Sequence, residues 1–467
     1  MTLWFKPFRY LITYIQKITL SKYMSKVKLS ILGMMITTVI LLISCNPKEE
    51  EVPVIVEETV KKAIFDSMKE WYYWEAELPQ TLDVSKFASN QAVLDELKFK
   101  PLDRWSYLTT KAEFDAAFTG QATGAHGFSF AFDQDEKLFV AFVYNEAPAG
   151  KDGWKRGWQI VEINNKPISD YKTSTGSYSF NLGANQIGVT NTFKFRLPDG
   201  TETTRTIQKG AFQTNSVLYR NVYEVGAKKV GHWVYQSFRA TAGLSPTRSQ
   251  EVEDLFNYFI AEGINELIID LRYNGGGSVA VTEQILNYIA PPSVNGRVMY
   301  TNKHNGNKFE NNRSVNFSKK GNLTLGRIIF ITSRGSASAS ELLVNCLDPY
   351  MDMVLIGDNT YGKPVGSFPL SSFNRNLSGN NVELVPITFA IANSEGRAEY
   401  FDGFPVNFTV GDDPARNWDD KEEKRLKAAL EFIESGAVSA RMKNTSFKPK
   451  WEMIDAFEGL EKEFPMY

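Results

Sequence analysis

The sequence predicts a multi-domain protein of the α/β class, because three regions of the chain show different residue patterns. The chain has 467 residues, 43% of them hydrophobic, which is enough for two or three cores. Residues 55–118 have the apolar spacing of helices, whereas residues 120–210 read as short strands separated by glycine turns. Residues 220–411 alternate buried strands with helices, as α/β domains do, and residues 412–467 are predicted as a helical tail packed on the outside.

Residues 1–45 have the features of a targeting segment. Lys26 and Lys28 precede an apolar run that is short for a membrane span and ends at Cys45. The final Leu-Ile-Ser-Cys resembles a bacterial lipobox, which implies that Cys45 is lipidated and that the chain is anchored in the cell envelope. An ordinary signal anchor is the alternative. Met24 begins a more typical signal peptide than Met1 does, and residues 46–54 are predicted as a polar linker.

Composition argues against several classes of protein. The net charge is −2 and the chain has no recurring basic block, so nucleic acid is not an expected partner. The two cysteines are Cys45 and Cys346, and lipidation of Cys45 would leave no pair for a disulfide within the chain. Neither an H-E-x-x-H spacing nor a Gly-Lys-Ser/Thr loop occurs. We therefore expect no metal and no organic cofactor.

Two runs within residues 120–210 resemble parts of a PDZ domain. Gly127, Phe128, Ser129 and Phe130 form a Gly-Phe-Ser-Phe run similar to the loop whose N–H groups hold a peptide carboxylate. Residues 157–168 are similar to the strand pair that follows in such domains. A plain hairpin core is the alternative for the first run alone. Together the two runs predict a PDZ-like domain with these four residues at the peptide-binding site.

Residues 326–366 contain a strand, a turn of small residues, a helix, a second strand and a lysine in the loop after it. This order places a serine at a helix N-terminus, where backbone N–H groups can stabilise an oxyanion. A serine hydroxyl needs a base to become a good nucleophile. Lysine can be that base only as the uncharged amine, a form that desolvation or nearby positive charge favours. The alternatives are that the serines only cap the helix and that the lysine is solvated.

The runs Ser-Ala-Ser-Ala-Ser-Glu and Gly-Asp-Asn-Thr-Tyr-Gly-Lys in this region resemble the signature of the tail-specific, or C-terminal processing, serine peptidases. The resemblance implies that Ser338 is the nucleophile, that Lys363 is its general base, and that the catalytic domain has a ClpP/crotonase-like α/β fold. The family commonly has a glutamine four residues after the lysine, and Ser367 stands there in this chain. Which group orients Lys363 is therefore open.

A second loop, Asp-Leu-Arg-Tyr-Asn-Gly-Gly-Gly from residue 270, follows a predicted buried strand. Its glycines let backbone N–H groups approach a ligand closely, although a tight turn between strand and helix is the simpler interpretation. The family resemblance implies that Gly276 or Gly277, together with Ala339, forms the oxyanion hole. A Ser-His mechanism is the rival, and His232 is its least easily dismissed candidate, whereas His126 and His304 are expected to be structural or exposed.

The resemblance thus implies a lipid-anchored serine endopeptidase of the cell envelope, on the periplasmic or surface face of the outer membrane. Its partners would be polypeptide substrates recognised at their C-terminal ends. The missing glutamine motivates an alternative from another class of protein, a surface-tethered peptide-binding protein with a degenerate catalytic site.

Overall fold

The computed structural model describes residues 54–242 and 247–439, with side chains from residue 57 onward. The predicted signal segment with Cys45, most of the linker and the end of the predicted tail lie outside these ranges. From Glu58 onward the described residues belong to one unit. Among the helices described, none is both long enough and apolar enough to cross a membrane.

The first described region is helical, as predicted. The apolar faces of its helices share one core with strands from the C-terminal half of the chain, since Ile64, Met68 and Tyr72 lie in the same cluster as Val365 and Ile387. The region therefore packs against the segment that follows Lys363. Its helices are α1 (Val54–Trp71), α2 (Asn90–Leu97) and α3 (Lys111–Thr119), with the short strand β1 (Tyr107–Thr109) between α2 and α3.

The middle region is almost entirely β-structure and has its own core of aromatic and branched side chains. Its main sheet has the strand order β3-β4-β5-β7-β8, with β6 paired to β5, and β2 pairs separately with β9. A turn at residues 197–201 joins β7 to β8, and there Leu197 N–H donates to Thr201 O at 2.8 Å. The elements are β2 (Gln121–Ala125), β3 (Phe128–Phe132), β4 (Leu138–Val143), α4 (Pro148–Lys151), β5 (Gln159–Ile163), β6 (Lys166–Pro167), β7 (Thr190–Arg196), β8 (Glu202–Gln208) and β9 (Gly210–Gln213).

The C-terminal half alternates strands and helices, which confirms the predicted mixed α/β class. Its strands of branched apolar residues are buried along their whole length at Glu266–Asp270 and Ile328–Thr332, as parallel strands covered on both faces should be. The elements are β10 (Val217–Val225), β11 (Lys228–Tyr235), α5 (Gln250–Glu262), β12 (Glu266–Asp270), α6 (Val279–Ile289), β13 (Val298–His304), β14 (Arg313–Asn316), β15 (Ile328–Thr332), α7 (Ala339–Leu347), β16 (Met353–Gly357), β17 (Val365–Ser367), α8 (Arg375–Ser378), β18 (Glu383–Val385), β19 (Ile387–Asn393), β20 (Phe408–Thr409) and α9 (Lys424–Ser435).

These strands form two sheets whose arrangement positions the site. The larger sheet has the order β10-β11-β12-β15-β16-β20 and is parallel from β11 to β20. The second sheet, β14-β13-β19-β17, contains the strand that follows Lys363. The loops after β12, β15 and β16 leave the same edge of the larger sheet, because the carboxyl ends of neighbouring parallel strands coincide. The glycine loop, the serine turn and the lysine loop therefore meet there.

The segment after residue 411 does more than cover the domain. Leu426 and Ile433 of α9 pack on Ile329 and Ile331 of β15, in agreement with the predicted helix. Glu423, the residue immediately before this helix, lies in the interior and is 1% exposed.

Candidate active site

The turn that carries Ser338 connects β15 to α7. Ser338 has φ 58° and ψ −114°, a conformation that costs a non-glycine residue on the order of 1–3 kcal/mol. Neighbouring serines hold the turn: Ser336 Oγ donates to Leu271 O at 2.8 Å and Ser340 Oγ donates to Asn274 O at 2.9 Å. The Ser338 hydroxyl is fully buried and has no hydrogen-bond partner within the described part of the chain. It is thus the serine of this motif whose hydroxyl is left available for chemistry.

The carboxylate of Glu341, in the first turn of α7, joins the serine turn to the lysine loop. Its Oε2 atom accepts the N–H of Ser338 at 2.9 Å and the N–H of Lys363 at 2.8 Å. Its Oε1 atom accepts the N–H of Gly362 at 2.7 Å and the hydroxyl of Thr360 at 2.6 Å. Because one oxygen atom binds both, the backbone nitrogens of Ser338 and Lys363 are no farther apart than the sum of those two distances.

The role of Glu341 was not predicted from the sequence, although the glutamate belongs to the quoted motif. Burial raises the pKa of this carboxyl, and the hydrogen bonds it accepts act in the opposite direction. A glutamate three residues after a serine at a helix start is the capping-box pattern, which was the available signal. That pattern could indicate the bond to Ser338 but not the bonds to the lysine loop.

Lys363 lies in the loop between β16 and β17, and it is 2% exposed, which rules out the solvated alternative. Its Nζ atom lies 5.9 Å from the centre of the Trp105 ring, which the N-terminal helical region contributes. The preceding Gly362 has φ +98°, and a Cβ atom there would lie 2.1 Å from the carbonyl oxygen of Phe401. The loop therefore needs a glycine before the lysine. Ser367, where the family commonly has glutamine, is buried on β17, and its part in orienting Lys363 stays a prediction.

The glycine loop after β12 lies directly against the serine turn. A Cβ atom on Gly276 would lie 2.8 Å from Ser338 Cβ and 2.9 Å from the amide nitrogen of Ala339. The N–H of Gly276 is already bonded to Asn274 Oδ1 at 2.8 Å. The N–H groups of Gly277 and Ala339 donate to no acceptor in the described hydrogen bonds. Of the two glycines left open by the sequence, Gly277 is therefore the one whose amide is available to an oxyanion together with that of Ala339.

A buried cluster of charged side chains lies at the start of the glycine loop. Arg272 donates to Glu423 at 2.7 Å and to Asp412 at 2.6 Å. Arg156, from the middle region, donates to the same Asp412 oxygen at 2.9 Å. Burial by itself would raise the pKa of Asp412, but the two guanidinium groups hold it well below its usual range. The cluster links the end of β12, just before the glycines, to the middle region through Arg156 and to the segment before α9 through Asp412 and Glu423. No sequence pattern indicated this cluster.

The histidines do not join the serine turn. His232 lies on β11 beside the rings of Tyr219 and Tyr223, at 5.5 Å and 6.0 Å between ring centres. Burial lowers the pKa of His232 to about 4, and that of His126 to about 4 as well. His304 lies beside the Phe389 ring on β19. Among the described residues, no group of three or more His, Cys, Asp or Glu side chains is arranged to hold a metal ion.

The predicted peptide-binding residues Gly127, Phe128, Ser129 and Phe130 are all buried. Phe128 begins β3, which lies at the edge of its sheet, and Gly127 has φ +78° in the loop before it. A strand at a sheet edge with a glycine loop at its start is the arrangement that strand addition by a peptide requires.

Two family models match the chain. The model of peptidase family S41 matches residues 229–382, and the model of the peptidase S41 N-terminal domain matches residues 59–107. The first match contains Gly276, Gly277, Ser338 and Lys363. The second covers the helical region that packs on the strand after Lys363.

Known proteins agree with these matches. The chain is 22% identical over 306 residues to carboxyl-terminal-processing peptidase 3 of Arabidopsis thaliana, covering 62% of this chain and 56% of that one. It is 23% identical over 308 residues to the carboxy-terminal-processing protease of Bartonella bacilliformis, covering 61% and 64%. The chain thus spans less than two thirds of the length of each. A crystal structure of an S41 protease from Bacteroides fragilis NCTC 9343 has the same fold, with a TM-score of 0.65 and 22% identity over 80% of this chain and 97% of that one. Residues 229–382 of this chain are therefore identified with peptidase family S41, and residues 59–107 with its N-terminal domain.

Proposed function

We propose that the chain is a serine-type endopeptidase that cleaves polypeptides recognised at their C-terminal ends, with Ser338 as nucleophile and Lys363 as general base. One observation carries this proposal. A single oxygen of Glu341 binds the backbone N–H groups of both residues, so the serine turn and the lysine loop are held together although they follow different strands.

The reaction would proceed through an acyl-enzyme. The uncharged amine of Lys363 takes the proton from Ser338 Oγ as that oxygen attacks the scissile carbonyl carbon. The negative charge on the carbonyl oxygen is stabilised by the N–H groups of Gly277 and Ala339. The proton passes from Lys363 to the leaving amine when the peptide C–N bond breaks. Water, deprotonated by Lys363, then attacks the ester, and the acid product leaves while Ser338 regains its proton.

The burial of both side chains bears on how substrate reaches them. Ser338 is 0% exposed and Lys363 is 2% exposed, so a polypeptide must displace part of the surrounding structure before it reaches the hydroxyl. Removal from water also favours the uncharged form of an amine, which the mechanism needs. The closed site supports a peptidase that acts only after substrate has bound.

We also propose that the protein acts in the cell envelope, attached through lipid on Cys45. The support is the sequence of residues 26–45 alone. Radioactive palmitate should label the wild-type protein in the producing bacterium and should not label Cys45→Ala. Equal labelling of both would contradict the anchor and would leave the peptidase proposal untouched.

Cleavage of an unfolded protein substrate tests the catalytic assignment. Ser338→Ala and Lys363→Met should each lower the rate at least about 10³-fold, because each removes a group that reacts directly. Ser435→Ala is the control, since this hydroxyl lies at the exposed end of α9 and bonds only backbone groups there, and it should leave the rate within about 2-fold of wild type. Equal activity of Ser338→Ala and wild type would refute the assignment. If neither cleaves and both bind peptides with free C-termini, the protein is a peptide-binding module instead.

A further inference from the structure

The edge strand β3 of the middle region is covered by another segment of the same chain. In the described structure β3 pairs only with β4, and Phe130 and Phe132 project from it into the aromatic core. Residues 172–189, here called the strap, pass over this face between β6 and β7. The ring of Tyr178 lies 4.5 Å from that of Phe132, and the ring of Phe180 lies 5.4 Å from that of Phe130. The strap therefore occupies the apolar face beside the edge strand.

The other end of the strap lies against Gly124, near the end of β2 and just before the loop that leads into β3. A Cβ atom on Gly124, which has φ +75°, would be 2.2 Å from the carbonyl oxygen of Asn185. The ammonium group of Lys209 donates at 3.0 Å to the carbonyl oxygens of Gly183 and Ala184 and at 3.0 Å to the side-chain oxygen of Asn185. These three acceptors are neutral, although Lys209 is 4% exposed. A buried ammonium binds an anionic oxygen more strongly than it binds neutral carbonyls.

Polar groups in the loop that faces Lys209 lack hydrogen-bond partners; the loop faces this lysine because Ala125 pairs with Gly210 across β2 and β9. The backbone N–H groups of His126 and Gly127 donate to none in the described hydrogen bonds, and both residues are buried. His126 Nε2 is also buried without a partner, on a side chain that is 5% exposed. Buried donors without acceptors are rare in proteins, since each costs about 1–3 kcal/mol. Two free amides and a neighbouring ammonium together match a carboxylate.

We propose that the strap is a built-in competitor of substrate: it covers the site at which the C-terminal carboxylate of a polypeptide binds to the amides of His126 and Gly127, with Lys209 as counter-charge. This rests on the proposed function and deepens it. When the strap lifts, an apolar C-terminal side chain replaces Tyr178 and Phe180 on the face of β3, and Lys209 exchanges neutral oxygens for an anionic one. The measured affinity is then the intrinsic affinity of the open form multiplied by the fraction of molecules in which the strap is open.

The test measures binding by fluorescence anisotropy, with every variant carrying Ser338→Ala so that the probe is not cleaved. The probe is a labelled eight-residue peptide ending in Ala-Val, as the free acid and as the C-terminal amide. The double variant Tyr178→Ser/Phe180→Ser should bind the acid at least about 10-fold more tightly than the parent does. Lys209→Met should abolish the preference for acid over amide. Phe309→Ser removes a ring that is 69% exposed elsewhere and should change neither.

Hydrogen exchange provides a second readout that needs no change to the strap. Addition of the acid peptide should increase exchange within residues 172–189 and decrease it in β3, whereas the amide should do neither. Equal affinity of the double variant and its parent, equal binding of acid and amide, or increased protection of the strap would each overturn the proposal. If any of these three results is obtained while the wild type still cleaves and Ser338→Ala does not, the peptidase function stands and only the proposal about the strap is refuted.

Discussion

The two glycine loops of this protein have the same local chemistry but different surroundings. The loop at residues 274–277 and the loop at residues 124–127 each contain glycines with positive φ and backbone N–H groups without acceptors. The first is fixed by side chains that bond its backbone, with Asn274 Oδ1 holding Gly276 and Ser340 holding Asn274. The second lies beside residues 183–185, whose oxygens accept three bonds from Lys209, and the aromatic rings of the same strap pack on the adjoining strand β3.

This difference teaches what separates a catalytic amide from a binding amide. In the proposed mechanism the first loop supplies an oxyanion-hole amide, which must already be in place when charge develops. This loop lies at a sheet edge beside buried charges. In the proposed binding mode the second loop takes a peptide carboxylate, so its cover has to open and is held by contacts that a ligand can replace. We therefore expect changes at the first loop to alter the chemical step and changes at the second to alter binding.

Outside the proposed catalytic pair, the largest effect is expected at Glu341, which bonds both the serine turn and the lysine loop. Glu341→Gln keeps the shape but replaces one oxygen by a donor facing N–H groups. We expect kcat/KM to fall at least about 100-fold and the free energy of unfolding to fall by about 2–4 kcal/mol. Peptide hydrolysis and denaturant titration measure these two quantities. Glu113→Gln is the control, because Glu113 completes an exposed capping box at α3 and should cost no more than about 1 kcal/mol. Full activity in Glu341→Gln would show that this carboxylate does not position the pair.

A pair of glycine substitutions tests the comparison directly. Gly276→Ala places a Cβ atom 2.8 Å from Ser338 Cβ, so Ser338 must move and kcat should fall about 100-fold. Gly124→Ala places a Cβ atom 2.2 Å from the strap carbonyl of Asn185. It should leave kcat for a short peptide within about 3-fold of wild type, since the loop is remote from the reacting atoms, and should speed hydrogen exchange in the strap. A drop in kcat for Gly124→Ala as large as for Gly276→Ala would remove the distinction.

The smallest effects concern two buried histidines, His126 in the loop before β3 and His232 on β11 of the larger sheet. Burial lowers the pKa of each from 6.5 to about 4. The folded protein then binds the proton more weakly than the unfolded chain, so stability is complete above pH 6.5 and is lost as pH falls toward 4. Between pH 7 and pH 5 each histidine should lower the free energy of unfolding by about 2 kcal/mol. The measurement is the unfolding free energy at both pH values for the wild type and for His126→Asn or His232→Asn. A variant with an unchanged pH profile would show that its histidine is accessible to protons in the folded state.

The sequence predicted the parts of this fold that depend on neighbouring residues. Strands β12 and β15, helix α7 and the order of strand, turn and helix around Ser338 follow from apolar periodicity and small-residue turns. The Ser-Ala-Ser-Ala-Ser-Glu and Gly-Asp-Asn-Thr-Tyr-Gly-Lys runs together also indicated the family, which the family models confirmed. The individual roles of Ser338, Lys363 and the oxyanion amides stay predictions for the experiments above.

Other features depend on residues that meet only in the folded chain. Glu341 bonds residues 21 and 22 positions away, and Arg156 reaches an aspartate 256 positions away. Gly277 rather than Gly276 has the available amide, because Asn274 Oδ1 already accepts the N–H of Gly276. The strap was not foreseen because its polar and aromatic residues have no regular period, so only packing on β3 defines their place.

The sequence by itself therefore determined the α/β class, the family and the chemical groups at the ends of strands β12, β15 and β16. Only the tertiary structure decided which carboxylate joins those groups, which amide is left free and what covers the second loop. The physical reason is that backbone periodicity is set by adjacent residues, whereas a hydrogen-bond partner is set by whichever distant group the fold brings within about 3 Å.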